Sequence, residues 1–380
     1  MRFDRRELAG AVADLGVLVP IAVALIVKNG LSPTAVFLPA GLLYLVVAFV
    51  YRLPVPVQPL KAFGAIAIAK GLGANDIAAG ALLMAVIFFG AGRLGLIDLA
   101  GRAFPRPLIR GVQLTVGLLF LTIAWKLVFH PSKGFKNYEL EPRWALPLAV
   151  AGIGLALFAR RFSISLLLVG IGVAVMLVQA GGNASLGPAA IQFPSWSADT
   201  FWTALTLLVI PQVPLSFANS CLATTDAARA YFGRAAERIT PGRLATTFGA
   251  TNFLSAAISG MPVCHGAGGM TAHYAFGART AGAPLALGVG LVTLAVGTGS
   301  GLAALLTAFP LPILAALIAT AGLLHIGLLR DLRGWRNWAI ALAVGAIGFE
   351  TNLTIGLAVG LALWWIPVGA LRLRGAFATG

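Results

Sequence analysis

The sequence predicts an all-α polytopic membrane protein: about fourteen transmembrane segments in a seven-plus-seven inverted repeat, with two short half-helices (segments 3 and 10) preceded by extended stretches. Three observations predict it. The 380 residues are 59% hydrophobic and only 10% charged, with a mean hydropathy of +0.92. An ordinary soluble domain carries about 25% charged residues; a chain this long with so few charges cannot cover a water-facing surface, so a soluble enzyme is excluded. Apolar runs follow one another along the whole chain, and a bilayer-spanning helix needs about 20 such residues. Two of the runs are unusually short, and each follows a Pro-Val step.

Proline, glycine and charge divide the runs. Segment 1 covers 8–28, segment 2 33–52, short segment 3 60–70, segment 4 76–99, segment 5 107–129, segment 6 144–159 and segment 7 163–180. After a polar loop, segment 8 covers 201–224, segment 9 241–259, short segment 10 266–278, segment 11 283–309, segment 12 311–329, segment 13 338–350 and segment 14 353–371. The N-terminal Met-Arg-Phe-Asp-Arg-Arg has the charge of a signal-peptide n-region. The apolar run behind it contains Asp14 and Pro20 and is too long for an h-region, so it reads as the first span.

Loop charges test this map. With the N-terminus in the cytoplasm and the segments alternating, 20 of the 27 Lys and Arg fall inside and 6 outside, and Lys61 alone is left over. That asymmetry follows the positive-inside rule and puts both termini in the cytoplasm. The net charge of +15 therefore reports topology and implies no nucleic-acid partner. Cys221 and Cys264 both lie in apolar segments and make no disulfide framework. No cofactor or metal motif is present.

The chain divides into repeats at 1–190 and 191–380, the second entering the membrane from the opposite side. Paired, proline- or glycine-interrupted short segments at matching positions point to a transporter's midplane site. In Pro54-Val55-Pro56-Val57-Gln58-Pro59-Leu60-Lys61, three prolines in six residues cannot be interior helix; they suit an extended stretch leading into a helix near Pro59. A helix starting there aims free N–H groups, among them that of Ala62, at an anion, and Lys61 lies in its first turn. The alternative is that Lys61 snorkels to an interface. In the second half, Cys264-His265-Gly266-Ala267-Gly268-Gly269 offers glycines that allow backbone amides close to an anion, with His265 as donor or proton carrier; close helix packing also explains such glycines.

Gln212, Ser216, Asn219 and Ser220 share one face of segment 8 and either line a cavity or bond neighbouring helices. Asp14 is the main intramembrane carboxylate: a proton carrier, a partner of Lys61, or a structural bond to a broken helix. Gln113, Asn252 and His325 read as helix–helix contacts, His273 as the cytoplasmic end of segment 10, and Glu350 as interfacial.

Glu7-Leu8-Ala9-Gly10, Asp14-Leu15-Gly16, the Pro54–Lys61 stretch, Pro211-Gln212-x-Pro214-Leu215 with Asn219-Ser220, and Met261-Pro262-x-Cys264-His265-Gly266-Ala267-Gly268-Gly269 with Phe276-Gly277-Ala278-Arg279 resemble the molybdate transporter branch of the sulfate permease superfamily. The resemblance implies a core domain (1–103 plus 200–309) moving against a gate domain (104–199 plus 310–380), with substrate between the starts of segments 3 and 10. It also implies a homodimer. The typical sulfate permease carries a C-terminal STAS domain; this sequence stops just after segment 14, as the molybdate branch does.

The reading is a secondary transporter of a tetrahedral oxyanion, molybdate or sulfate, in a bacterial inner membrane. The anion is expected to meet Gln58, Lys61, Ala62, Gln212, Ser216, Asn219, Ser220, Cys264, His265, Gly266, Gly268 and Gly269, with proton coupling through Asp14 or His265. An anion channel on the same scaffold is the alternative. A nucleobase permease lacks its carboxylate in segment 8. An intramembrane enzyme using Cys264 and His265 as nucleophile and base requires adjacent residues to face each other.

Overall fold

The computed structural model describes residues 1–12, 15–97, 105–131, 135–136, 141–158, 164–179 and 185–377. Among them the regular structure is helical apart from two short strands: α1 (Arg5–Val12), α2 (Leu15–Asn29), α3 (Pro33–Val50), β1 (Gln58–Pro59), α4 (Lys61–Lys70) and α5 (Ala74–Arg93). There follow α6 (Arg106–Phe129), α7 (Pro142–Phe158), α8 (Ile164–Gln179), the long α9 (Ala198–Arg238) and α10 (Pro241–Ala257). The chain continues through β2 (Val263–Cys264), α11 (Ala267–Ala275), α12 (Gly282–Gly297), α13 (Gly299–Leu306), α14 (Leu311–Gly327), α15 (Trp335–Glu350) and α16 (Leu353–Phe377).

Five of these helices are long and apolar enough to cross a membrane, or six if the bent pair α12–α13 counts as one. Their outward faces carry large apolar side chains, Phe49, Val86, Trp125 and Leu148 among them, so lipid is the medium that surrounds them. Within the bundle α3 packs along α12, α5 along α10, and α6 along α14. At the α6–α14 crossing Gly117 and Gly322 face each other: a Cβ on either would lie 2.8 Å from the other's carbonyl oxygen. Only glycine lets two helix backbones approach so closely.

Two sequence expectations change. The apolar run 283–309 is not one span but α12 and α13, bent by 90° at Thr298. The bend is held from outside, for the Gly187 amide donates to Gly297 O (2.8 Å) and the Ser300 amide to Gly187 O (2.9 Å). An incoming loop thus supplies the partners that a continuous helix would have supplied itself. His273, expected at a solvent-facing helix end, is fully buried, because its ring is drawn onto the carbonyl of Pro54.

The strands β1 and β2 pair antiparallel, Gln58 opposite Cys264 and Pro59 opposite Val263. Each leads within three residues into a short helix, α4 of 10 residues and α11 of 9. Because the strands are antiparallel, the two helices leave the pair in opposite directions, with their amide-bearing ends at the strand crossing.

Candidate functional site

Prolines explain the first strand. Pro54, Pro56 and Pro59 carry no N–H, so the segment cannot close helical turns, and its carbonyls need donors from elsewhere. Side chains supply them: His273 Nδ1 lies 3.0 Å from Pro54 O, His265 Nδ1 2.9 Å from Pro56 O, Tyr44 Oη 3.3 Å from Val57 O and Cys264 Sγ 3.8 Å from Pro59 O. A carbonyl only accepts, so Nδ1 of each histidine bears the proton. In the neutral ring of His265, Nε2 then accepts; its neighbour is Thr247 Oγ1 at 3.1 Å, which is itself 2.8 Å from Tyr51 Oη. Both histidines come from the β2–α11 segment and grip the strand of the other half.

The second strand is held by the helix before it. Asn252 of α10 makes a two-way bond with Val263, donating to its oxygen (2.9 Å) and accepting from its amide (2.8 Å). Ser255 donates to Met261 O at 3.0 Å. The strands also join directly, the Leu60 amide donating to Pro262 O at 3.2 Å. Asn252 thus fixes a strand where a helix–helix contact was expected. His325 bonds Ala321 O on its own helix and sets its ring edge-on to Phe120 of α6, the helix–helix contact expected of it, while Gln113 accepts from Arg110 on its own helix.

At the start of α4, Lys61 and Ala62 are the first two helical residues, and the third, Phe63, donates its amide to Gln212 Oε1 at 3.0 Å. Gln212 Nε2 donates to Ser216 Oγ at 3.0 Å. The expected ligands therefore separate: Gln212 and Ser216 form a cap on α4, whereas the Lys61 and Ala62 amides have no partner among the described residues. Lys61 is half-buried and forms no ion pair with a described carboxylate.

At the start of α11, Gly266 is the cap residue. A Cβ built on it would collide with Gln58 Oε1 and come within 3.2 Å of Asn219 Nδ2. Gln58 from β1, Asn219 from α9 and the first turn of α11 therefore converge on one point. Gly268 is exposed and a Cβ on it would meet nothing within 4 Å, while Gly269 is buried. Asn219 and Ser220 lie in a π-helical stretch of α9, Ser216–Ala223, whose wider turn follows Pro211 and Pro214. Cys264 and His265 turn to different carbonyls, Pro59 and Pro56, and make no nucleophile–base pair with each other. Asp14 lies outside the described residues.

The carbonyl ends of both half-helices meet positive or donor groups. Lys28 Nζ donates to Ile68 O (2.6 Å) and Asn29 Nδ2 to Ala67 O (2.9 Å) at the end of α4, and Arg279 Nη1 donates to Tyr274 O (2.5 Å) beyond the last turns of α11. Each helix dipole is thus compensated at its far end, and its amide end lies at the crossing, a polarity that favours a small anion there. Sequence reading missed Tyr44, Tyr51, Thr247 and His273. The seven-residue spacing of Tyr44 and Tyr51, which sets both on one side of a helix two turns apart, was the available signal.

A family model described as "Molybdate transporter of MFS superfamily" matches residues 6–120 and 204–324, a range that includes both strands, both half-helices and the polar stretch of α9. Molybdate transporter 1 of Arabidopsis thaliana is 26% identical, covering 96% of this chain and 90% of its own length. Molybdate transporter 1 of Chlamydomonas reinhardtii is 28% identical, covering 93% of this chain and 90% of its own length. Among solved structures, the transmembrane domain of the cyanobacterial bicarbonate transporter BicA superposes with a TM-score of 0.64 at 18% identity, covering 96% of this chain and 98% of that one. The murine Slc26a9 anion transporter in its inward-facing state gives 0.67 at 16% identity, covering 98% and 70%. The fold is that of these anion transporters' membrane domains, and the chain belongs to the molybdate transporter family.

Proposed function

We propose that this protein is a secondary transporter of molybdate, a tetrahedral dianion, held at the crossing of β1 and β2 between the starts of α4 and α11. The observation that carries the reading is the convergence of Gln58, Asn219 and Gly266 at the amide end of α11. Gln58 and Asn219 supply neutral amide donors, the half-helices supply their dipoles, and Lys61 supplies the one positive charge. Neutral donors with a single cation bind a dianion without holding it too tightly for release.

The proposed topology is fourteen segments in two inverted repeats, with both termini cytoplasmic and the protein in the inner membrane of a bacterium. It is supported by the helix packing. In a seven-segment repeat α3 corresponds to α10 and α12 to α5, so the α3–α12 and α5–α10 contacts are the same contact seen twice. The β1–β2 pair and the α6–α14 pair map onto themselves. Transport is then the movement of the α1–α5 and α9–α13 core against the remaining helices, which exposes the crossing to each side in turn. Protons are the proposed coupling ion, with Asp14 as their carrier.

Uptake of radiolabelled molybdate into a molybdate-limited host, with sulfate as competitor and a pH series, tests the proposal. It expects saturable molybdate uptake that rises as external pH falls. Robust sulfate uptake with no molybdate uptake overturns the substrate, and uptake independent of pH overturns proton coupling alone.

A further inference from the structure

A cavity of about 440 Å³, lined by none of the residues at the strand crossing, lies at an arginine-rich end of the bundle. Arg52, Arg279 and Thr280 line it together with Met1, Ala48 and Phe49. Arg52 directly follows α3's last turn, where its amide donates to Val47 O at 3.3 Å, and its φ is 59°. That is the left-handed position at which helices ordinarily end on glycine. An L side chain there costs about 1 kcal/mol, and the turn itself has no use for a guanidinium.

Neither Arg52 nor Arg279 forms an ion pair with a described carboxylate. Arg279 commits one amino group to the carbonyls of Tyr274 and Ala278 and stacks 3.7 Å over the Tyr274 ring, which fixes its plane and leaves its other N–H groups. The nearby acid, Glu7, is buried and already accepts from the amides of Arg279, Thr280 and Ala283 and from the Thr280 hydroxyl. Its oxygens are engaged at the turn that opens α12 and not on either guanidinium. Arg2 and Arg6 pack on the same turn, against Gly282 and Gly277. Beside the cavity the surface is apolar: Phe49 is 62% exposed and Val50 40%, and in a membrane protein such side chains face lipid.

We infer that this cavity binds a phosphate group through Arg52 and Arg279, and that the phosphate is the headgroup of an anionic phospholipid whose acyl chains run along Phe49 and Val50. Free phosphate shares the headgroup's chemistry and is distinguished from it by the test. Guanidinium pairs match phosphate oxygens in geometry as well as charge, and the exposed apolar strip next to them has no use for a freely soluble ion.

The test titrates the purified full chain in neutral detergent with dioleoyl phosphatidylglycerol, dioleoyl phosphatidylcholine or inorganic phosphate, and reads bound lipid by native mass spectrometry and stability by thermal unfolding. Phosphatidylglycerol is expected to bind saturably and more tightly than phosphatidylcholine, and Arg52→Gly to weaken it about fivefold, the effect of one basic residue at an anionic surface. Arg52→Gly relieves the left-handed turn, so its unfolding midpoint in phosphatidylcholine is expected to equal or exceed the wild type's. Misfolding therefore cannot mimic the loss. Arg52→Gly with Arg279→Gln is expected to weaken binding further. Equal binding of the two lipids, or unchanged phosphatidylglycerol affinity in folded Arg52→Gly, overturns the site. Inorganic phosphate that displaces phosphatidylglycerol at millimolar concentration overturns the lipid assignment.

Discussion

The side-chain oxygen of Gln212 accepts the amide hydrogen of Phe63 at 3.0 Å, tying the middle of α9 to the first turn of α4. One helix of the second half thereby sets the position of the half-helix of the first. The same side chain donates to Ser216 at 3.0 Å, so its orientation is fixed from both ends.

Gln212→Leu leaves the Phe63 amide buried without an acceptor. A cost of about 1–3 kcal/mol is expected, the penalty of one unsatisfied buried donor. Thermal unfolding of the purified variant checks this. Molybdate uptake is expected to fall further than abundance does, because the start of α4 loses its anchor.

His265 fixes the backbone of the first strand through Pro56 O and reaches Thr247 through its other nitrogen. His265→Ala is expected to lower the unfolding midpoint and folded yield, by about 1–3 kcal/mol. A double-mutant cycle with Thr247→Val is expected to show coupling between the two sites. Additive effects would remove Thr247 from the network.

Lys61 stands at the first position of α4, half-buried. Lys61→Ala is expected to weaken molybdate about 10- to 100-fold, the range of a charge-assisted hydrogen bond. Lys61→Arg is expected to retain part of the affinity. Isothermal titration of purified variants checks both.

Glu7 takes four donors in the turn that precedes and opens α12. Glu7→Ala strands all four and is expected to destabilise the protein by about 3 kcal/mol or more. Glu7→Gln, which keeps one acceptor oxygen, is expected to recover part of that loss. Unfolding of both variants in the same detergent makes the comparison.

Much of this architecture was legible in the sequence. Proline, glycine and charge mark helix ends by sterics and solvation, so most segment limits fall within a few residues of the helices. The Pro54–Pro59 stretch announced an extended segment entering a helix because proline leaves the backbone few other options; its pairing with Val263–Cys264 was not legible. What stayed hidden depends on partners distant in sequence. The bend at Thr298 is invisible to hydropathy, since Gly187 supplies the hydrogen bonds that stabilise it. The roles of His265, His273 and Asn252 follow from carbonyls and amides of other segments, and backbone groups leave no trace in the side-chain sequence. Gln212 was legible as a buried polar residue, but its acceptor role toward Phe63 required the packing of α9 on α4.

The position of Gly266 allows the most direct test of the anion site. A Cβ there displaces the far end of the Gln58 side chain, a flexible group, and touches Asn219, while the backbone conformation of Gly266 suits any residue. Gly266→Ala should therefore fold with an unchanged unfolding midpoint yet lose the amide geometry around the anion. The measurement is equilibrium binding of molybdate to the purified wild type and Gly266→Ala. The account predicts saturable binding to the wild type and at least about tenfold weaker binding to the variant, the loss of a charge-assisted hydrogen bond. Equal affinity in two equally stable proteins would contradict it.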